Sequence, residues 1–270
     1  MNLIAQPIRS RANARLRRLH ALIERASARR REHCAVIEGE HLLESWLMHR
    51  PEQLREVYWR ADEPPPPGIA SRLAGLADPI ECFTLDAELF ARISSLENSR
   101  GPIAVLLLPA DHQPQLGPID TDAIYLDALQ DPGNVGTILR SALAFGVRTV
   151  LAAPGCVDLW SPKVLRAAMG SHVLLEIHTD CPIERLFACA RVPLRATSSH
   201  ATRLIREAGL AAPGIWLFGQ EGRGLDQPAL ANADIDWLAI EQSADIESLN
   251  VGVAASICLY EQYRQRHAAP

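Results

Sequence analysis

Lysine is almost missing from this 270-residue chain: Lys163 is the only one, and arginine carries the rest of the positive charge. A bias so complete reads as genome composition rather than as chemistry. Long apolar runs are missing too. No stretch approaches the ~20 residues that a membrane-spanning helix requires, and the N-terminus is too charged to hold the apolar core of a secretory signal. A cytoplasmic protein with no membrane partner is therefore expected. The six cysteines (Cys34, Cys82, Cys156, Cys181, Cys189, Cys258) are scattered, with no Cys-x-x-Cys pair and no histidine at ligand spacing. That arrangement points to reduced, buried thiols and no metal site.

Charge is present but unevenly placed. The overall balance is −5, yet residues 1–31 hold nine arginines against one acid, Glu24. Like charges this close repel unless an anionic partner neutralises them. Two readings stand: a solvated helix face, or a surface for nucleic-acid phosphates, with Arg11, Arg15, Arg17 and Arg18 as the candidate RNA contacts.

A helix is expected from about residue 10 to 30, with Ser10 as its cap and Leu16, Leu19, Leu22 and Ile23 as its apolar stripe. Short alternating units follow. Strands are expected at 34–38, 56–59, 80–85 and 103–108, with helices at 41–48, 69–76 and 87–93. They make an α/β module over 1–108. The polar, proline-bearing stretch 109–121 reads as a linker. From 122 to 270 the alternation resumes, with strands near 123–129, 148–152, 173–177, 193–197, 214–218 and 236–240. Helices are expected near 135–145, 162–169, 182–191, 200–208, 226–232 and 248–265. Apolar strands alternating with helices imply a mostly parallel sheet covered on both faces.

In such a sheet, ligands sit beyond the carboxyl ends of the strands. Three loops there carry unusual residues: "LQDPGNVGTILRSALAFG" (129–146), "LFGQEGRGL" (217–225) and "IEQSADIESLNVGVAAS" (240–256). Gly219, Gly222 and Gly224 stand in the order Gly-x-x-Gly-x-Gly, not the dinucleotide order, and Glu221 among them would repel a pyrophosphate. No Gly-x-x-x-x-Gly-Lys occurs. A nicotinamide-dependent oxidoreductase and a P-loop nucleotide enzyme are both disfavoured. The loops suit a ligand without phosphates, approached by backbone through the glycines.

Asn134 followed by Arg140, then Gly219-x-Glu221-Gly222-x-Gly224-Leu225, then Ser248-Leu249-Asn250-Val251 resemble, in this order, the three motifs of the SpoU-type RNA ribose 2′-O-methyltransferases of the SPOUT superfamily. "SPKVLRAAMGS" (161–171) is similar to the segment joining the first two motifs, and the first hundred residues are more loosely similar to that family's substrate-binding domain. The resemblance implies an α/β domain with a C-terminal trefoil knot, a smaller N-terminal α/β domain, S-adenosylmethionine as cofactor, and a homodimer. It implies that Thr197, Gly219, Ile240, Ser248 and Leu249 line the cofactor pocket. Asn134, Arg140, Glu221, Ser248 and Asn250 would form the catalytic constellation.

Each residue also has a plainer role available. Asn134 either caps the helix after its turn or positions Arg140 and RNA. Arg140 either acts as base or, since guanidinium resists deprotonation, holds an RNA phosphate and stabilises an alkoxide. Glu221 orients a partner such as Asn250 or sits in a surface ion pair. Ser248 and Asn250 are catalytic or are helix caps. Lys163 and Arg166 touch RNA or solvent. The implied activity is methylation of a ribose 2′-hydroxyl in structured RNA, with large-subunit ribosomal RNA ahead of tRNA. The alternative is an inactive RNA-binding module.

Overall fold

The computed structural model describes residues 5–96, 101–108, 116–220, 223–225, 230, 233–243 and 245–268. These fall into two compact units, Met1–Ala110 with Trp160–Val173, and Asp111–Leu159 with Leu174–Pro270.

The first unit begins with strand β1 (Ala5–Ile8), then helices α1 (Ala14–Glu24) and α2 (Ala26–Glu32). There follow β2 (Cys34–Glu38), α3 (Glu40–His49), β3 (Leu54–Arg60), α4 (Pro67–Ala74), β4 (Glu81–Leu85), α5 (Ala87–Ile93) and β5 (Ile103–Leu107). The sheet order is β1-β4-β3-β5-β2. β5 runs antiparallel to both its neighbours and the other pairs are parallel. Leu16, Leu19, Leu22 and Ile23 bury as their spacing predicts, in one cluster with Val36, Tyr58, Phe83 and Phe90.

The expected single helix over 10–30 is two helices. Arg25 adopts an extended backbone between them. The break is stabilised by Arg29, a buried arginine whose Nη1 donates to the carbonyls of Leu22 and Ile23 at 2.7 and 2.9 Å. Those carbonyls lie in the last turn of α1, where helical partners run out. The cap of α1 is Asn13 rather than Ser10: its side chain accepts from the Arg15 N–H at 2.8 Å.

The second unit starts with β6 (Ala123–Leu126), α6 (Pro132–Ala144) and β7 (Thr149–Ala152). Trp160–Val173, with helix α7 (Pro162–Ala167), then joins the first unit. There Arg166 Nη1 donates to Ser95 Oγ at 2.7 Å, and Arg50 Nε donates to the Val173 carbonyl at 3.2 Å. The second unit continues with β8 (Glu176–His178), α8 (Ile183–Cys189), β9 (Leu194–Thr197), β10 (Ile215–Phe218), β11 (Ile235–Leu238) and α9 (Val251–His267).

All six strands of the second unit are parallel, in the order β11-β9-β10-β6-β7-β8. One face packs Tyr125, Leu151, Ala196 and Leu217 against Ile183 and Leu186 of α8. On the other face Trp216 is buried and donates its ring N–H to Gln262 of α9 at 2.6 Å. The expected helix at 200–208 is absent: the chain there makes a bridge from Leu204 to Ala239 and one 3-10 turn, Ile205–Glu207. Most of the expected helix at 226–232 and most of the linker lie outside the described residues. Ile119 does not float between units; its backbone exchanges hydrogen bonds with Cys189 and Arg191 at 2.9 Å each.

Candidate active site

The strand order places β6 in the middle of the parallel sheet, with β7 and β8 continuing to one side and β10, β9 and β11 to the other. A crevice outside the carboxyl ends of the strands, where connections diverge in this way, is where such sheets bind ligands.

On the β6 side, Asp131 opens α6. Its carboxylate accepts from the Asn134 N–H at 2.7 Å. Asn134 is thus not the cap; it lies inside the first turn, its backbone held by Asp131. On the β11 side, Asn250 is the cap of α9, its Oδ1 accepting from the N–H groups of Gly252 and Val253 at 2.9 and 3.2 Å. The other half of the same amide, Nδ2, donates to Asn134 Oδ1 at 2.9 Å. Only a side chain with both a donor and an acceptor performs these two tasks together, which an aspartate cap, an acceptor alone, would not.

Helices α6 and α9 continue this contact as a ladder. A Cβ on Gly252 would sit 3.3 Å from Thr137, so glycine keeps the helices close. One turn on, Ser141 and Ser256 hydroxyls meet at 2.8 Å, and Phe145 packs edge-on against Tyr260 with centroids 5.6 Å apart. Arg140 lies on the exposed side of α6 and has no ion-pair partner among the described residues. Its guanidinium is open to an external anion.

The loop after β10 closes on itself. Gly224 has φ +63° and its N–H reaches the Gln220 carbonyl at 2.7 Å. A Cβ on Gly219 would lie 2.2 Å from the Gly224 carbonyl oxygen, so only glycine fits there. Beside this loop is a pocket at the ends of β9, β10 and β11. Thr197, Gly219, Ile240, Ser248 and Leu249 all line it, as do Ser198, Phe218, Gln242, Val251 and Ala254. The structure therefore brings the five residues expected at the cofactor together. Ser248 faces this pocket and does not cap α9. Residues such as Ser198 and Gln242 were not anticipated; each directly follows, or lies close to, a strand end already singled out, which was the available signal. Glu221 lies outside the described residues.

The N-terminal arginines divide into two groups. Arg15 makes a two-pronged ion pair with Glu81 (2.7 and 2.8 Å), reaches Glu56 at 3.3 Å and stands 4.8 Å above the Phe83 ring. Arg18 pairs with Glu32 at 2.6 Å and Glu56 at 2.9 Å. Glu56 is itself buried and accepts the Tyr58 hydroxyl at 2.6 Å. Hydrogen bonding to Glu81 pushes the Arg15 pKa up, and the ion pairs with Glu32 and Glu56 raise that of Arg18 against the opposing effect of burial. For these two the anionic partner is the chain's own carboxylates. Arg11 is bonded to Glu88 at the surface, and Arg17 is exposed with no ion-pair partner among the described residues.

A parallel α/β sheet with a pocket at its carboxyl edge, beside a loop that lacks the dinucleotide glycine order, defines the class of domain. The SpoU rRNA Methylase family profile matches residues 123–260. An uncharacterized tRNA/rRNA methyltransferase of Synechocystis is 35% identical over 94% of this chain and 91% of its own length. A crystallised RNA 2′-O ribose methyltransferase is 31% identical, superposing with a TM-score of 0.79 over 97% of this chain and 99% of that one. The SpoU methyltransferase AviRb from Streptomyces viridochromogenes, in complex with the cofactor AdoMet, shares the fold with a TM-score of 0.82 at 24% identity, over 96% of this chain and 100% of that one. The chain belongs to the SpoU rRNA methylase family.

Proposed function

We propose that this chain transfers a methyl group from S-adenosylmethionine to the 2′-hydroxyl of a ribose in structured RNA, with large-subunit ribosomal RNA ahead of tRNA as the substrate. The observation that carries the reading is the pocket bounded by Thr197, Gly219, Ile240, Ser248 and Leu249, continuous in sequence with the Asn250 that grips Asn134. The rRNA methylase family description supports the choice of substrate.

The pocket fits an adenosyl cofactor on its own chemistry. Among the described residues that line it there is no arginine or lysine, so no side-chain cation is placed to pair with a phosphate. Thr197, Ser198, Gln242 and Ser248 offer hydrogen-bonding groups, while Phe218, Ile240 and Leu249 offer apolar walls. The closed turn at Gly219 and Gly224 allows backbone approach. Bound S-adenosylmethionine supplies an electrophilic methyl group on a sulfonium.

The chain's own residues supply position and charge. Asn250 and Asn134 join the start of α9 to the first turn of α6, fixing the helix that carries Arg140 against the pocket wall. A guanidinium already holds its full complement of protons near neutrality and so is no base. Arg140 instead presents a planar fork to an RNA phosphate and stabilises negative charge growing on the 2′-oxygen, whose proton leaves to phosphate or water. Glu221, outside the described residues, keeps the orienting role that the family resemblance implies for it. The reading includes a C-terminal trefoil knot, a cytoplasmic location and a homodimer. Exposed Val253, Tyr260 and Tyr263, spaced along one side of α9, support the last of these.

The test is methyl transfer from labelled S-adenosylmethionine to total RNA from a strain lacking this gene, with nuclease mapping of the product. One labelled 2′-O-methyl nucleotide identifies reaction and substrate together. Cofactor binding with no label in any RNA favours an inactive RNA-binding module; neither binding nor label rejects the enzyme.

A further inference from the structure

A second cavity lies in the first unit, between α1 and α5. Arg11, Arg17, Arg25 and Arg92 surround it with His20, over a floor that includes Leu16, Leu89 and Ile93. Its arginines differ from Arg15 and Arg18, which the chain neutralises with Glu32, Glu56 and Glu81. Arg17 and Arg25 are exposed and have no ion-pair partner among the described residues. Among the described residues, the carboxylate that pairs with these arginines is Glu88, shared between Arg11 and Arg92, with side chains between half and two-thirds exposed. Surface pairs of this kind contribute little and exchange readily for a better anion.

Four guanidiniums around an apolar floor make an unusual surface. Charge alone would suit any polyanion. The exposed His20 ring adds a flat face between the charges, and arginine forks match phosphate oxygens two at a time. A single-stranded nucleic acid offers both at once, with phosphates repeating along a backbone and base faces between them. We infer that this groove, and not the Arg15–Arg18 row, is where the first unit holds a single-stranded segment of the RNA substrate. The inference rests on the RNA-methyltransferase reading above for the identity of the polyanion.

The experiment uses the full chain and a fluorescein-labelled 12-nucleotide single-stranded RNA of mixed sequence, followed by anisotropy across a salt series. Arg17→Gln/Arg25→Gln/Arg92→Gln should flatten the slope of log affinity against log salt by about 2, three phosphate contacts at about 0.7 each on a single strand. All three side chains are exposed, so the melting temperature and the affinity for S-adenosylmethionine should stay at the parent values. Arg18→Gln should leave the slope unchanged. An unaltered slope in the triple variant, or a parent chain that does not bind the RNA at all, overturns the groove. Displacement of the RNA by poly-glutamate of equal charge with equal potency also overturns it, in favour of an acidic protein partner. Methyl transfer to total RNA, assayed separately, decides the enzymatic reading whichever way the groove falls.

Discussion

Asn250 donates one side-chain hydrogen bond to Asn134 and accepts two from the backbone of α9, so a single amide both starts the last helix and ties it to α6. The two roles separate by mutation. Asn134→Ala removes the tie and leaves the α9 cap in place, whereas Asn250→Ala removes the tie and the cap, the latter costing about 0.5–2 kcal/mol in helix stability. In denaturant titrations Asn250→Ala should be the less stable by that margin. The double variant should show a coupling of about 0.5–1.5 kcal/mol, the net worth of one hydrogen bond. Additive losses would mean that the contact does no energetic work.

Arg140 should be needed for transfer and not for cofactor binding. Loss of a single stabilising donor typically lowers turnover by about 10²–10³-fold. Arg140→Ala should show at least that loss, with S-adenosylmethionine affinity by calorimetry within a few-fold of the parent. Arg140→Lys keeps the charge but not the fork, and should recover only a minor part. Full activity in the lysine variant would reduce the role to simple charge.

Gly219 has no room for a methyl group. Gly219→Ala would drive a Cβ into the Gly224 carbonyl at 2.2 Å, backbone against backbone, so the loop must open. Cofactor binding should fall below detection in calorimetry while the circular dichroism spectrum is retained. Gly209→Ala, where a Cβ meets nothing within 4 Å, is the matched control and should bind normally.

Much of this was legible in the sequence because it is local. The apolar stripes on α1 and α6, the strand–helix alternation and the unusual residues at strand ends follow from periodicities of a few residues. Features that depend on distant partners were not. β1 is four residues long with Pro7 inside it and only Ile8 buried, so no pattern announced it. The break at Arg25 depends on a guanidinium from the next helix. Residues 200–208 have helical composition, yet Leu204 is taken into a bridge with Ala239. The arginine cluster looked uncompensated because its acids, Glu56 and Glu81, are 41 and 66 residues from Arg15.

A polar cluster, partly shielded from solvent, clamps the far end of α9. Asp122 accepts from the Gly214 N–H (3.0 Å), Gln262 Nε2 (2.8 Å) and Arg266 Nη2 (2.8 Å). Gln262 in turn accepts from Arg195, a buried arginine whose pKa burial pushes down. Removing the carboxylate takes the ion-pair partner from Arg266 and leaves Arg195 its bonds to Gln262 and the Ala212 carbonyl. Asp122→Ala should cost about 1.5–3 kcal/mol, the range for hydrogen bonds to charged groups. Asp122→Asn, which keeps the acceptor, should cost less. Equal losses would show that the charge is irrelevant to the clamp.

Alkaline pH should weaken the fold through its thiols. Burial pushes Cys82 and Cys156 up to about 11, and Cys258 further still. A group whose folded pKa is raised favours folding below its unfolded value, here 9.0, and that benefit drains away as pH rises toward the folded value. The urea midpoint should therefore fall between pH 9 and 11, and Cys258→Ala should flatten that limb relative to its own midpoint at pH 7.5. A parallel decline in parent and variant would remove Cys258 from the effect.

The tie between Asn134 and Asn250 spans 116 residues of chain. A ribosome adding about 5–20 residues per second would take roughly 6–23 s to make the second residue after the first. Throughout that interval the nascent chain carries α6 without α9 beside it, with Thr137 and Ser141 facing whatever is near. Ser248, Leu249 and Val251 complete the pocket only in the same late stretch. A nascent chain that stops short of Asn250 therefore lacks both the tie and part of the pocket wall.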